Sequence, residues 1–290
     1  MSSKFYNNFK TVLLLGGLTG AILFIGHLIA GPTGVIIALG IAAVMNFVSY
    51  FYSDKIALAS MGAQEVGPEH ELYQITAQLA QRANMPMPRV YVAPTDAPNA
   101  FATGRNPQNS AVCATEGLLQ VLNRNEIAGV MAHELAHVKH RDILISTVAA
   151  TVAGAITTLA YLSMFFGGSS DDEEGGSSNP MAGMLLLILG PIAAGIIQMA
   201  ISRSREYNAD TEGARIAGDL MHLASALEKL HLYSQQVPIR TNPAYNSMFI
   251  VEPLNAMGSV RNLFATHPAL EQRLMNLIGR ETTGMFRHAA

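Results

Sequence analysis

Four long apolar runs interrupt an otherwise polar chain, and each is about long enough to cross a bilayer as a helix. Roughly 20 consecutive apolar residues suffice for one transmembrane helix. The turn Gly31-Pro32-Thr33 separates the first two runs, and a low-complexity acidic stretch at 167–180 separates the last two. The pattern therefore predicts two transmembrane hairpins. The runs occupy residues 11–30, 34–52, 143–166 and 181–201.

The polar segment after the first hairpin mixes helical and extended periodicity. Residues 67–84 repeat apolar side chains at helical spacing, which predicts an amphipathic helix. A further helix is expected from about Asn125, which can cap its first turn. Short runs bounded by proline or turn residues predict three strands, at 89–93, 99–103 and 110–115.

The segment after the fourth apolar run is again helical in pattern. It predicts one long helix to about Leu232, followed by an irregular stretch at 234–265 that could cover a cleft. A last helix is expected to open at Pro268 and to end near Gly279, because proline is favoured in the first helical turn.

Composition supports a membrane protein with a sizeable polar part. Only 13% of the residues are charged and 50% are hydrophobic, whereas soluble proteins average about 25% charged. The net charge of −3 and the lack of a basic cluster argue against nucleic-acid binding. The single Cys113 excludes an internal disulfide and fits a reducing compartment.

Charge also predicts the orientation in the membrane. Lysine and arginine flank the apolar runs on one side only, and the opposite side carries a neutral turn and the acidic stretch. The positive-inside rule therefore places both termini and both polar segments in the cytoplasm. The flanking cations are Lys4, Lys10, Lys55, Lys139, Arg141, Arg203 and Arg205.

One short motif carries specific chemistry. His133-Glu134-Leu135-Ala136-His137 is an H-E-x-x-H pattern. Two histidines four residues apart lie on one helix face, so both imidazoles can bind one zinc ion. Glu134 is then placed to accept a proton from a zinc-bound water, as a general base does in metallopeptidases.

A third ligand is predicted from the positions of the apolar runs. His137 precedes the third run by six residues, and Glu206 follows the fourth by five. In an antiparallel hairpin both would emerge at nearly the same height, about 7–9 Å beyond the spans. Asp210, one helical turn after Glu206, is the candidate acceptor for the second N–H of a metal-bound imidazole. The alternative is that Glu206 and Asp210 form a solvated face or pair with nearby arginines.

These motifs resemble those of membrane-embedded gluzincin proteases of the HtpX type, which are bacterial relatives of the type I CAAX prenyl proteases. The resemblance extends over essentially the whole chain and includes H-E-L-A-H, E-Y-N-A-D, Asn99-Ala100-Phe101-Ala102 and Thr266-His267-Pro268. It implies one zinc ion per chain, held by His133, His137 and Glu206, with Glu134 as the acid/base.

The same resemblance implies a function and a location. The substrates would be polypeptides, in particular misfolded or damaged membrane proteins, cleaved during stress response and protein quality control. The site would be the cytoplasmic face of the bacterial inner membrane, with the chain embedded in the lipid bilayer. The oligomeric state is left open.

Three further assignments keep an alternative. His267 could stabilise the oxyanion as a neutral N–H donor beside the helix opened by Pro268, or merely cap that helix. Residues 99–102 could pair with an extended substrate backbone, or form an ordinary edge strand. Arg273 could orient a carboxylate of the site, or lie on a helix surface.

The predicted fold is a mainly α membrane protein with four transmembrane helices in two hairpins and a cytoplasmic α+β zincin-like catalytic domain with a small sheet. Its parts are an N-terminal hairpin at 1–53, a catalytic part at 54–141, a second hairpin at 142–202 and a catalytic part at 203–290. The acidic stretch at 167–180 is expected to form a flexible loop within the second hairpin. Intramembrane proteolysis is disfavoured because polar residues bracket the motif. The alternative function is a catalytically silent membrane scaffold or chaperone that holds unfolded segments.

Overall fold

The computed structural model describes residues 3–149, 151–152, 203–236 and 270–279. The acidic stretch at 167–180, the fourth apolar run and His267 lie outside these residues. So do most of the third apolar run and most of the stretch at 234–265. The two described parts of the chain after residue 200 still pack onto the first part, which is enough to define the site.

The first helix, α1 (Ser3–Ser60), is two helices joined at a kink. Ala30 and Gly31 leave helical geometry, and Gly31 has a φ of +56°, a conformation that glycine adopts readily. The Asn46 amide donates a hydrogen bond of 2.8 Å to the Thr19 hydroxyl, 27 positions earlier. The two halves therefore lie side by side, as expected for a hairpin turning at residues 31–33.

One part of α1 is long and apolar enough to cross a membrane. This part is Ala30–Ser60, and a shorter apolar helix, Phe9–Phe24, precedes it. Among the described residues, Ala30–Ser60 alone meets both the length and the hydropathy criteria. The structure thus shows a helical protein with one candidate transmembrane helix and a small mixed sheet, and the arrangement of four spans stays a prediction.

The described residues form a four-stranded sheet with the order β1-β2-β4-β3. β2 and β4 are parallel, and the other two pairs, β1 with β2 and β3 with β4, are antiparallel. The sequence predicted the last three strands within a few residues of their observed ends. It missed β1 because two residues carry no periodicity. The strands are β1 (Gln64–Glu65), β2 (Arg89–Ala93), β3 (Ala100–Asn106) and β4 (Asn109–Thr115).

The two faces of the sheet pack against different layers. Phe101 and Cys113 lie on the face that contacts Leu58 near the end of α1. Ala100 and Ala102 lie on the opposite face, in the main core with the helices of the polar domain. Burial raises the pKa of the Cys113 thiol to about 12, so this cysteine is an inert core residue.

The helices of the polar domain surround one central helix, α4. It packs against α2, α5 and α6 and against β3. The sequence predicted one long helix to about Leu232, but Gly218, with a φ of +86°, separates α5 from α6. The helices are α2 (Glu71–Arg82), α3 (Glu116–Val121), α4 (Arg124–His140), α5 (Arg203–Ala217), α6 (Leu220–Gln236) and α7 (Leu270–Ile278).

The start of α4 is fixed by a capping box. Asn123, not Asn125, is the N-cap, because its side-chain oxygen accepts from the backbone N–H groups of Asn125 and Glu126 at 3.0 and 3.1 Å. The Glu126 carboxylate accepts in return from the Asn123 N–H at 2.9 Å. Ser225 and Lys229 of α6 also donate to Glu126, at 2.6 and 2.9 Å. The cap thus also ties α4 to α6.

Candidate metal centre

α4 carries its H-E-x-x-H motif inside the protein core. Every residue from 129 to 136 is buried. A Cβ at Gly129 would lie 2.5 Å from the backbone nitrogen of Leu223, so this glycine lets α6 pack directly on the α4 backbone. Helix packing on several sides removes water from His133 and Glu134 and strengthens the electrostatic interactions of both residues.

A second close approach brings α5 against the motif. Glu206, Asp210 and Gly213 are spaced by four and three residues, so they share one face of α5. A Cβ at Gly213 would lie 2.8 Å from the Cα of His133 and 2.9 Å from its backbone nitrogen. A glycine at this position therefore allows α5 to bring both carboxylates to His133.

Three donor atoms converge at this crossing. Nε2 of His133 lies 3.1 Å from Nε2 of His137, and the Glu206 carboxylate oxygens lie 3.6 Å from each of these nitrogens. A tetrahedral zinc ion with bonds of about 2.0–2.1 Å would separate its ligand atoms by about 3.3 Å. The spacing and the donor set of two imidazoles and one carboxylate thus fit zinc. His133, His137 and Glu206 could hold a metal ion.

Each imidazole has a carboxylate beside its other nitrogen. Nδ1 of His133 lies 2.9 Å from Asp210, and Nδ1 of His137 lies 3.2 Å from both oxygens of Asp142. Such contacts fix the ring orientation and direct Nε2 towards the shared point. Asp142 reaches His137 because Arg141 adopts a left-handed conformation (φ 60°, ψ 38°) and ends the helix.

Arg273 of α7 completes the His133 side. Its guanidinium donates two hydrogen bonds to Asp210, at 2.9 and 2.6 Å, and both side chains are buried. The surface-helix alternative for Arg273 is therefore wrong. Asp210 accordingly neither faces solvent nor pairs with an arginine of its own helix.

The carboxylates give the centre a strongly negative field. Burial alone would raise the pKa of Asp210, but Arg273 and His133 outweigh it and lower this pKa to about 2. Burial alone would lower the pKa of His137, yet Asp142 and Glu206 raise it to about 10. The pKa of His133 is raised in the same way, by Asp210 and Glu206 against burial. The same field stabilises protons or a metal cation at these nitrogens.

Glu134 is buried next to the donors. It directly follows His133 in α4, and the residue is 6% exposed. Burial excludes bulk water around this carboxylate. A carboxylate in such surroundings can serve as a general base.

The predicted substrate strand leads into β3. The backbone N–H of Asn99 donates to the Thr115 hydroxyl at 2.8 Å, and its carbonyl accepts from the Thr115 N–H at 2.9 Å. β3 pairs with β4 along one edge, and its other edge has no strand partner within the described part of the chain. Ala100 and Ala102 face the core that contains α4. His267, the remaining predicted site residue, lies outside the described residues.

Sequence reasoning missed two residues of the centre. Asp142 follows His137 by five positions, and a residue in the turn that ends a helix can contact a side chain in the last turn of that helix. Its position could therefore have indicated the contact with His137. Gly213 continues the spacing of Glu206 and Asp210, and a glycine on a helix face that carries ligands can indicate close helix packing.

The fold and the site define a metallopeptidase. The sequence model of Peptidase family M48 matches residues 67–281, more than half of the chain, and the chain belongs to this family. Such enzymes use a metal ion, generally zinc, to hydrolyse peptide bonds in polypeptides.

The curated relatives are similar over nearly their whole length. A Protease HtpX homolog of Burkholderia ambifaria (strain MC40-6) is 52% identical over 286 residues, covering 97% of this chain and 99% of that protein. A Protease HtpX homolog of Burkholderia mallei (strain SAVP1) matches to the same extent. These relatives and the apolar α1 make this chain a membrane metalloprotease.

A solved structure shows a weaker similarity. The crystal structure of S. mikatae Ste24p aligns with a TM-score of 0.47 and 19% identity. The alignment covers 95% of this chain and 66% of the longer Ste24p chain.

Proposed function

We propose that this protein is a zinc-dependent endopeptidase of the cytoplasmic membrane that cleaves misfolded or damaged membrane proteins. The observation that carries the proposal is the convergence of His133, His137 and Glu206 at 3.1–3.6 Å. A buried carboxylate base next to these donors adds to it. One zinc ion per chain would be held by the three donors, with Asp210 and Asp142 orienting the two imidazoles.

Different side chains of the protein would have different roles in hydrolysis. Zinc, when bound, supplies a Lewis acid that polarises the scissile carbonyl and acidifies water. Glu134 accepts a proton from the attacking water and then donates it to the leaving amine, because a buried carboxylate can exchange protons with both. Arg273 and Asp210 keep the His133 ring fixed throughout, so no reorientation is needed during the reaction.

Two further roles rest on the sequence pattern. His267 would donate a hydrogen bond to the developing oxyanion, since a histidine beside a helix N-terminus is held neutral. Residues 99–102 would pair with the extended substrate. The edge position of β3 and its packing against α4 support this role.

The proposed location follows from the charge pattern. Both termini and the metal centre would face the cytoplasm, and four spans in two hairpins would hold the chain in the inner membrane. The centre would then lie just above the bilayer, within reach of chains that leave it. This position suits a role in membrane protein quality control under stress.

The deciding experiment substitutes the base alone. Glu134→Gln in the full-length protein is expected to retain one zinc per chain, measured by metal analysis, and to lose cleavage of a casein-like substrate by at least about a hundredfold. His133→Ala is expected to lose zinc as well. Wild-type cleavage by Glu134→Gln would refute the mechanism. If His133→Ala kept its function in cells, the silent scaffold would be the better description.

A further inference from the structure

A cavity of about 500 Å³ lies where the candidate transmembrane helix ends. Its walls come from the last part of α1, the start of β2, and the turn between β3 and β4. It belongs neither to the metal centre nor to the predicted substrate strand. Its principal lining side chains are Phe51, Tyr52, Asp54, Lys55, Arg89 and Arg105.

The cavity holds more positive than negative charge. Arg89 is neutralised by Asp54, whose carboxylate lies 2.9 Å from its guanidinium. Lys55 and Arg105 instead lie over aromatic rings, each at 5.2 Å, the first over Tyr52 and the second over Phe51. Neither cation forms an ion pair with any residue that the structure describes, so two positive charges remain available to an anion.

The cavity also lies beside the candidate transmembrane helix. Residues 47 and 50–55 of this helix, Ala30–Ser60, line it. Phe47, Phe51 and Tyr52 in its wall are exposed, although they are large aromatic side chains. Aromatic rings followed by cations at the end of an apolar helix are typical of the bilayer interface.

We propose that this cavity binds the headgroup phosphate of an anionic phospholipid. Lys55 and Arg105 would contact the phosphate, Arg105 through its planar fork and Lys55 as a point charge. The exposed aromatic rings would contact the upper part of the acyl chains. Since no described residue neutralises these two cations, an anionic lipid is favoured over a zwitterionic one.

The same lipid would link the bilayer to the strand next to the metal centre. Arg105 belongs to β3, and Phe101 of β3 packs in one cluster with Leu58 of α1. A headgroup held between Lys55 and Arg105 would therefore fix the height of β3 above the membrane. The binding itself does not depend on catalysis, so it can be tested without any protease assay.

The test measures lipid binding to the delipidated full-length protein in detergent by native mass spectrometry. Phosphatidylglycerol is titrated against phosphatidylcholine of the same acyl chains. We expect a clear preference for phosphatidylglycerol, and a loss of about fivefold in apparent affinity for each of Lys55→Gln and Arg105→Gln. Arg105→Lys should stay within about threefold of the wild type, because it retains the charge.

Matched controls separate the site from general charge effects. Arg124→Gln removes one exposed cation that pairs with Glu71 away from the cavity, and it should leave binding unchanged. Inorganic phosphate at the lipid concentration should not displace the lipid. The proposal is overturned if phosphatidylcholine binds equally well, if the Lys55→Gln/Arg105→Gln double variant binds like the wild type, or if free phosphate alone competes fully.

Discussion

The two imidazoles of the candidate metal centre are flanked by the same order of groups but differ in burial. On both sides a carboxylate contacts Nδ1 and an arginine lies beyond it. On the His133 side, Asp210 receives two short hydrogen bonds from Arg273, and all three side chains are at most 2% exposed. On this side, His133, Asp210 and Arg273 form a closed chain of contacts that is buried along its whole length.

The His137 side is more exposed. Its ring is 15% exposed, and Asp142 contacts it at 3.2 Å. Arg205 approaches Asp142 only to 4.0 Å and is 13% exposed. This carboxylate comes from the turn that ends α4 itself, whereas Asp210 and Arg273 come from α5 and α7. The imidazole nearer to solvent is thus oriented locally, and the buried imidazole by tertiary packing.

This difference predicts that stability depends most on the buried side. Arg273→Met would leave the Asp210 carboxylate buried without its arginine. Breaking a buried pair in this way typically costs about 3–5 kcal/mol. We expect a loss of that size in the free energy of unfolding of the detergent-solubilised, metal-free protein. Arg215→Met, which breaks an exposed pair with Glu212, is the control and should change little. A loss below about 1 kcal/mol for Arg273→Met would contradict the description of a closed chain.

Metal affinity should also depend more on Asp210 than on Asp142. Asp210→Asn keeps the shape but weakens the support of His133, and second carboxylates of this kind are worth about 10–100-fold in affinity. We expect the upper end of that range, measured by zinc competition with a chelator. Asp219→Asn, on an exposed acid near the start of α6, should not alter zinc affinity. If Asp210→Asn bound zinc like the wild type, its contact with His133 would have no positioning role.

Asp142→Asn is expected to have the smaller effect, about tenfold in zinc affinity. Water can partly replace a carboxylate beside a partly exposed ring, which it cannot do around His133. The visible spectrum of the cobalt-substituted protein should shift, because the His137 ring changes orientation while the fold is retained. An effect equal to or larger than that of Asp210→Asn would reverse the asymmetry.

The same contrast between local and tertiary contacts explains what the sequence could predict. His133, Glu134 and His137 follow from helical spacing, and Glu206 and Asp210 from the ends of the apolar runs, because a hairpin fixes relative height. The strands β2, β3 and β4 follow from short apolar runs bounded by turn residues. All of these predictions rest on the periodicity or the ends of segments that can be recognised along the sequence.

Arg273 could not be placed in the same way. It lies 63 positions from Asp210, and no periodicity relates the two residues. Only the packing of α7 against α5 brings them together. The close approach at Gly213 is likewise a property of two helices, since it depends on which backbone lies opposite the glycine.

The capping box at the start of α4 can be altered without changing the candidate metal ligands. Burial alone would raise the pKa of Glu126, but hydrogen bonds from Lys229, Ser225 and the Asn123 backbone outweigh it and lower this pKa. A lowered carboxyl pKa contributes stability above its unfolded value of about 4.3, and this contribution is lost as the pH falls through the folded value. Glu126→Gln should therefore destabilise the protein at pH 7 by about 1–2 kcal/mol, the usual loss of a cap. The difference from the wild type should shrink below about pH 4.

The measurement is the free energy of unfolding of the metal-free, detergent-solubilised protein at pH 7 and at pH 3. Glu71→Gln, on an exposed carboxyl paired with Arg124, is the matched control and should change stability by at most about 0.5 kcal/mol. Zinc affinity of Glu126→Gln at pH 7 should equal that of the wild type, since Glu126 lies two turns before His133 on α4. A lowered zinc affinity would mean that α4 transmits strain along its length, and the asymmetry between the two imidazoles would then not be a local property. An unchanged affinity would localise that asymmetry to the carboxylates and arginines beside the two rings.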